Sequence, residues 1–246
     1  MLPDRRGFVL HYQPTVSLGD RQLTGFEALV RRHHPGLLRA LSRWALYEAC
    51  RQMASWQRAI PREAPLKIGV NIPFRYLIDP GLIPDIQRIL AETGLSPASL
   101  RLEMTERSVM AHGEAAKATL RCLRAMGIGL EIDDFGTGRA SIDYLRRLPF
   151  DGLKIDRSFV KQIGAANDSS EIIGMILRFA GSLGMNAAAQ GVETESQLER
   201  LTALGCRTAQ GCYFSRPLDA CGARALIEEA VRPHSIHLVE LHRRQL

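Results

Sequence analysis

The 246-residue sequence lacks several features, and each absence removes a class of protein. No apolar run approaches the roughly 18 residues that a membrane helix requires. The opening Met1-Leu2-Pro3-Asp4-Arg5-Arg6 has no apolar core behind its charges, so no secretory signal is expected and the location is taken as cytoplasmic. The five cysteines, Cys50, Cys122, Cys206, Cys212 and Cys221, are odd in number and form no CxxC pair. That excludes a disulfide framework or cysteine-based zinc site and predicts reduced, mostly buried thiols. The histidines show no HExxH spacing and read as surface residues. No GxGxxG turn is present to suggest a dinucleotide site, and no low-complexity tract suggests disorder.

A positive balance is present: 32 basic against 26 acidic residues, +6 overall. The arginines are scattered, with the densest group at Arg232, Arg243 and Arg244, and no recognition-helix, zinc-finger or RNA-binding signature accompanies them. Polymeric nucleic acid is therefore not expected as a partner. A hydrophobic content of 46% supports a large core, and the length suits a single (β/α)8 barrel.

Strand-like and helix-like segments alternate. Phe8–Val16 and Gln22–Leu29 flank the turn-rich Leu18-Gly19-Asp20-Arg21 and read as an antiparallel hairpin. Strands follow near Leu66–Val70, Leu100–Met104, Ile128–Ile132, Gly152–Ile155, Asn186–Ala189 and Arg207–Gln210, which makes eight. Between them, Ala116, Leu120 and Leu123 recur at helical spacing, with Gly127 at the stop position. Asp168 with Glu171, and Thr194 with Gln197, form capping-box patterns ahead of two further helices. The expected fold is α/β: a TIM-type barrel with one antiparallel strand contributed by the N-terminal hairpin, an open doubly wound sheet being the alternative. No linker divides residues 1–246, so a single domain is expected. Residues 232–246 form a basic tail that caps the barrel or trails from it.

Acidic and amide residues close the apolar runs: Glu27, Asn71, Glu103 and the adjacent pair Asp133-Asp134. In a barrel these strand ends share one mouth, where active sites lie. Four carboxylates and an amide oxygen suit magnesium or manganese, which take hard oxygen ligands. Two neighbouring aspartates repel in a low-dielectric mouth unless a cation lies between them. Gly136-Thr137-Gly138 permits a tight turn beyond them. Lys154 closes another strand, where it could neutralise a phosphate, orient a water, or pair with Asp156 or Glu193. Gln13 and Gln210 could donate hydrogen bonds to a ligand.

From Tyr12-Gln13-Pro14 to Gln210-Gly211-Cys212-Tyr213-Phe214-Ser215-Arg216-Pro217-Leu218 the chain resembles the EAL-domain family of cyclic di-GMP phosphodiesterases and their non-catalytic relatives. The resemblance rests on Glu27-Ala28-Leu29, Asp133–Gly138 with Leu148-Pro149, and Leu153–Asp156. It implies hydrolysis of cyclic di-GMP to linear pGpG with two magnesium or manganese ions. Glu27, Asn71, Glu103 and Asp133 match the family's metal ligands, with Asp134 beside the second ion. Lys154 matches the lysine near the attacking water, Asp156, Glu193 and Gln210 match supporting positions, and Arg31 matches a phosphate contact. Glu106 resembles a glutamate that steadies the Asp133–Gly138 loop, which in the family communicates with a dimer interface. Ile142, Tyr144 and Leu145 lie beside that loop, so either a homodimer forms through this region, as the resemblance implies, or the three pack inside the barrel's helical layer.

Two departures from the family pattern follow. Gln190, in Ala189-Gln190-Gly191-Val192-Glu193, replaces a glutamate proposed as general base. An amide takes no proton from water near neutral pH, and a general base is worth roughly 10²–10⁴ in rate. After Arg31, Arg32-His33-His34-Pro35-Gly36 runs almost directly into Leu37–Trp44, without the family's segment that walls one side of the ligand groove. The sequence therefore predicts cyclic di-GMP recognition with impaired hydrolysis. The alternatives are a fully active phosphodiesterase whose metal ions alone activate water, and a protein-interaction module that no longer binds nucleotide.

Overall fold

The computed structural model describes residues 8–31, 38–138 and 145–231, and every absence stated below refers to these residues. Eight strands close into a barrel in chain order: β1 (Leu10–Ser17), β2 (Leu23–Val30), β3 (Lys67–Asn71), β4 (Leu100–Thr105), β5 (Gly129–Phe135), β6 (Gly152–Ile155), β7 (Asn186–Gln190) and β8 (Thr208–Gln210). β1 runs antiparallel to both neighbours, β2 and β8, and all other pairs are parallel. Antiparallel neighbours can be joined by a short turn, whereas parallel ones need a crossover. The hairpin closed by Ser17 N–H donating to the Gln22 carbonyl (2.9 Å) is therefore what reverses β1. The open-sheet alternative is excluded.

The helices are α1 (Leu38–Ala59), α2 (Phe74–Leu77), α3 (Leu82–Thr93), α4 (Glu106–Ala125), α5 (Arg157–Lys161), α6 (Ser170–Ser182), α7 (Glu195–Ala203) and α8 (Ala220–Ala230). Strand residues alternate between the helix layer and the barrel axis. In β1, Leu10, Tyr12 and Val16 are buried outward, and Tyr12 meets Trp56 of α1 edge-on at 4.8 Å. His11, Gln13 and Thr15 lie between them and are half-buried. On α4, Val109, Ala116, Leu120 and Leu123 form the buried stripe, and Gly127 takes φ +84° just beyond it.

The capping box predicted at Thr194 forms: its hydroxyl accepts from Gln197 N–H, and the Gln197 side chain returns to the backbone at the helix start. The one predicted at Asp168 does not. Ser169 is the residue that opens α6, and Asp168 Oδ1 accepts from Ser170 N–H at 2.7 Å, a local turn one position too early for the box. The thiols also depart from expectation, since only Cys50 and Cys206 are buried. Cys122, Cys212 and Cys221 are exposed and all five are free; Cys122 and Cys221 lie on helices away from the buried stripes. His11, the histidine whose side chain is described, is half-buried rather than on the surface. The departure after Arg31, the segment 139–144 and the basic tail 232–246 fall outside the described residues.

Candidate active site

Seven strand ends bring the mouth together. Glu27 (β2), Glu103 (β4) and Asp133 (β5) are buried, and each offers a carboxylate oxygen within 4.8 Å of the others. Lys154 (β6) reaches into this group, with Nζ 2.6 Å from Glu27 Oε2, 2.7 Å from Glu103 Oε2 and 4.0 Å from Asp133 Oδ1. Its partners are thus the cluster acids and not Asp156 or Glu193. Asn71 (β3) donates from Nδ2 to Glu27 Oε1 at 2.8 Å, which leaves its Oδ1 as the oxygen available to a cation. Gln210 (β8) donates from Nε2 to Glu27 Oε2 at 2.7 Å.

The electrostatics follow from three acids sharing one ammonium. Burial opposes the charge of Glu27, but Lys154 and the hydrogen bonds from Lys154, Gln210 and Asn71 hold its carboxyl below the usual range. Glu103 is pushed well above that range, by burial first and then by the charge of Glu27. Burial also opposes the charge of Lys154, yet Glu103, Glu27 and Asp133 together hold its pKa far above the ordinary lysine value. The group carries more negative charge than its own cation balances, and all its donors are hard oxygens. The residues therefore fit a divalent ion such as magnesium or manganese.

The end of β5 is irregular. Its pairing with β6 shifts between Ile132 and Phe135, and Asp134 takes φ +54°. A bulge of this kind re-aims side chains that a regular strand would send to opposite faces. Asp134 accordingly remains close enough to its neighbours for its carboxyl to be raised, by burial first and then by Asp133 and Asp156. Asp156 Oδ1 also accepts from Ser158 N–H at 2.9 Å and caps α5. Beyond the bulge, Glu106 Oε2 accepts from the N–H groups of Gly136 (2.7 Å) and Gly138 (3.3 Å), which ties the loop to the start of α4.

Gln190, at the end of β7, donates from Nε2 to Asp133 Oδ1 at 2.8 Å. The other predicted residues lie around this centre. Gln13 stands opposite Glu27 in the β1–β2 register and is half-buried. Arg31 is exposed just past β2, and Glu193 is exposed beyond β7 with its N–H donating to Gln197 Oε1.

Sequence reasoning missed Gly69. A Cβ there would collide with Glu103 Oε1, so the bare glycine makes the space that the Glu103 carboxylate fills. The signal was a glycine inside the strand-like Lys67-Ile68-Gly69-Val70-Asn71, which often marks a close approach. Also missed was the Arg101–Glu131 ion pair (2.8 Å), in which Arg101 lies two residues before Glu103 on β4 and Glu131 stands opposite Glu103 on β5.

A barrel with one reversed strand and an acid-and-lysine cluster at the carboxyl ends of its strands defines the class of protein. The EAL domain family model matches residues 2–217, and the chain belongs to that family. It is similar to the bifunctional diguanylate cyclase/cyclic di-GMP phosphodiesterase MucR of Pseudomonas aeruginosa (38% identity over 88% of this chain and 34% of MucR). It is also similar to the cyclic di-GMP phosphodiesterase NbdA of the same organism (37% identity over 92% of this chain and 30% of NbdA). The chain thus spans about a third of these curated relatives. Among solved structures, a complex of the MucR phosphodiesterase with c-di-GMP superposes with a TM-score of 0.83 at 38% identity, covering 89% of this chain and 95% of that one. The EAL domain of Mycobacterium smegmatis DcpA gives 0.84 at 34% identity, covering 92% and 100%. No described helix is long and apolar enough to cross a membrane.

Proposed function

We propose that this chain recognises cyclic di-GMP at the barrel mouth and hydrolyses it to linear pGpG slowly or not at all. The observation that carries the second half is the 2.8 Å hydrogen bond from Gln190 Nε2 to Asp133 Oδ1. Residue 190 is a donor there, directed at an acid of the cluster, and it has no basic atom to offer a water. The first half is supported by the relatives: the MucR phosphodiesterase, at 38% identity, is solved in complex with c-di-GMP.

In this reading Glu27, Asn71, Glu103 and Asp133, with Asp134 beside them, hold two magnesium or manganese ions. When bound, such ions neutralise phosphate charge and make water a better nucleophile. The protein's own groups do the rest. Lys154 supplies a fixed positive charge for the phosphodiester, Arg31 contacts a phosphate from the rim, and Gln13 and Gln210 orient the ligand or the acids that face it. Glu106 and Asp156 fix the segments that follow the strands carrying Asp133, Asp134 and Lys154, and Glu193 supports the rim beyond Gln190. In this reading the site works in the cytoplasm.

Affinity and turnover measured on one sample, with magnesium or manganese, test the proposal. Saturable cyclic di-GMP binding with turnover at least about a hundredfold below that of the Gln190→Glu chain is expected. Absence of binding would favour the interaction-module reading, and turnover equal to that of the variant would favour the fully active enzyme.

We also propose a homodimer through the face next to the Asp133–Gly138 loop. Leu145 is fully buried and cannot take part. Ile172 and Met175 are exposed on α6, whose Phe179 stacks on Phe135 at 6.1 Å and so reaches the end of β5. Sedimentation should show a concentration-dependent dimer that Met175→Glu shifts to monomer. A monomer at every concentration, with and without ligand, rules it out.

A further inference from the structure

The connection from α1 to β3 carries polar groups that the mouth does not use. It runs along the opposite end of the barrel, where the parallel strands begin. A cavity of about 150 Å³ lies there, lined by Trp56, Gln57, Pro61, Arg62 and Leu66, with Ile60 and Pro65 completing the wall. Two of the lining residues carry a buried donor without a hydrogen-bond partner: Nε1 of Trp56 and Nη1 of Arg62. Trp56 itself is only 2% exposed. Gln57 Nε2 donates to the Leu66 carbonyl (2.7 Å) and Ser99 Oγ (3.1 Å), and its Oε1 accepts from neither of the two donors. The other amino group of Arg62 reaches only the Leu23 carbonyl, at 3.4 Å. Burial lowers the Arg62 pKa, and no carboxylate offsets the effect.

An unmade buried hydrogen bond costs about 1–3 kcal/mol, and native structures contain few. Two such donors at one cavity, one of them on a half-buried cation with no carboxylate beside it, favour an acceptor that carries negative charge. Water would accept both hydrogens but bring no charge to offset the desolvation of the guanidinium. The volume corresponds to about five waters at roughly 30 Å³ each. It lies well below the roughly 300 Å³ at which pockets for larger ligands begin, so a nucleotide does not fit. Ile60, Pro61, Pro65 and Leu66 give an apolar wall. A phosphate would press surplus oxygens against that wall unpaired, whereas a carboxylate has two oxygens for two donors and an apolar body for the remainder.

We infer that the cavity under the carboxyl end of α1 binds a short-chain aliphatic carboxylate, held by Trp56 Nε1 and Arg62 Nη1. The site is remote from the mouth but mechanically linked to it. Trp56 packs on Tyr12 (4.8 Å) and Phe26 (5.4 Å), the neighbours of Gln13 and Glu27 on β1 and β2.

The chain has two tryptophans, Trp44 and Trp56, so Trp44→Phe leaves Trp56 as the single reporter. Titration of that chain with butanoate, at constant ionic strength against chloride and inorganic phosphate, should change its emission saturably. Arg62→Met in the same background should raise the apparent Kd about tenfold or more, as expected for loss of a charge-assisted hydrogen bond. In the unmodified chain, the Trp56 indole N–H resonance should move downfield with butanoate, which keeps the test independent of either variant's folding. A response to phosphate alone, a non-saturating response equal to that of chloride, or one that Arg62→Met leaves unchanged overturns the assignment.

Discussion

An amide at position 190 presents an N–H to Asp133, where a glutamate would present a second negative oxygen at the same 2.8 Å. Two carboxylates that close cannot both stay ionised without a proton or cation between them. Glutamine therefore makes the cluster easier to assemble and poorer at attracting positive charge. Gln190→Glu should raise cyclic di-GMP turnover by roughly 10²–10⁴, about 3–5 kcal/mol of transition-state stabilisation. It should also tighten manganese binding, measured by calorimetry, and change nucleotide affinity much less because the side chains are nearly isosteric. A variant that binds both partners and stays inactive would move the defect to the departure after Arg31. Gly69 acts by absence. Gly69→Ala would put a methyl group where Glu103 Oε1 now sits, so Glu103 must leave its bond to Lys154. Overpacking of a closely fitted site costs about 1–3 kcal/mol. We expect a lower melting temperature together with a loss of manganese binding, and an unchanged calorimetric titration would show that Glu103 is not a ligand.

At the scale of elements, the loop after β5 depends on one side chain. Glu106 Oε2 receives two backbone N–H groups from Gly136 and Gly138, and hydrogen bonds to a charged acceptor contribute about 1.5–3 kcal/mol each. Glu106→Ala should therefore lower stability in urea by about 3–6 kcal/mol and weaken metal binding through Asp133, leaving the far-ultraviolet circular dichroism of the barrel intact. A variant with full stability would mean that the loop holds itself. The sequence showed which strands end in Glu27, Asn71, Glu103 and Asp133 because each acid or amide follows an apolar run of strand length. It also showed Thr194 and Gln197 as a cap, since that bond is made within four residues. It could not show that β5 continues to Phe135, because the bulge at Asp134 is set by pairing with β4 and β6. Lys154 was legible as a strand-end lysine but its partners were not. Glu27 and Glu103 lie 127 and 51 residues away in sequence, and only barrel closure brings them within 2.7 Å. The Asp168 pattern failed for a local reason: the side chain satisfies the N–H two residues on before a box can form.

Across the whole molecule, the mouth draws its groups from seven of the eight strands. Glu27, Asn71, Glu103, Asp133, Lys154, Gln190 and Gln210 each stand at or near the end of a different strand from β2 to β8. A ligand that bridges these ends ties the closure of the barrel to its own binding, so a cation bound there stabilises the entire fold and not one loop. Linkage gives about 2.7 kcal/mol at a free concentration of one hundred times Kd. For a chain of 150–250 residues each kcal/mol moves the melting temperature by about 2–4 °C. Saturating manganese should accordingly raise the melting temperature by about 5–10 °C, and a chelator should reverse the rise. Glu103→Ala should abolish the response, because it removes a carboxylate from the centre of the group and leaves Lys154 paired with Glu27 alone at short range. The same variant could be more stable than the parent without metal, since the removed acid is the one that burial and Glu27 hold farthest from its charged form. A Glu103→Ala chain that still gains the full increment with manganese would place the cation elsewhere, and the reading of the strand ends as one metal centre would have to be given up.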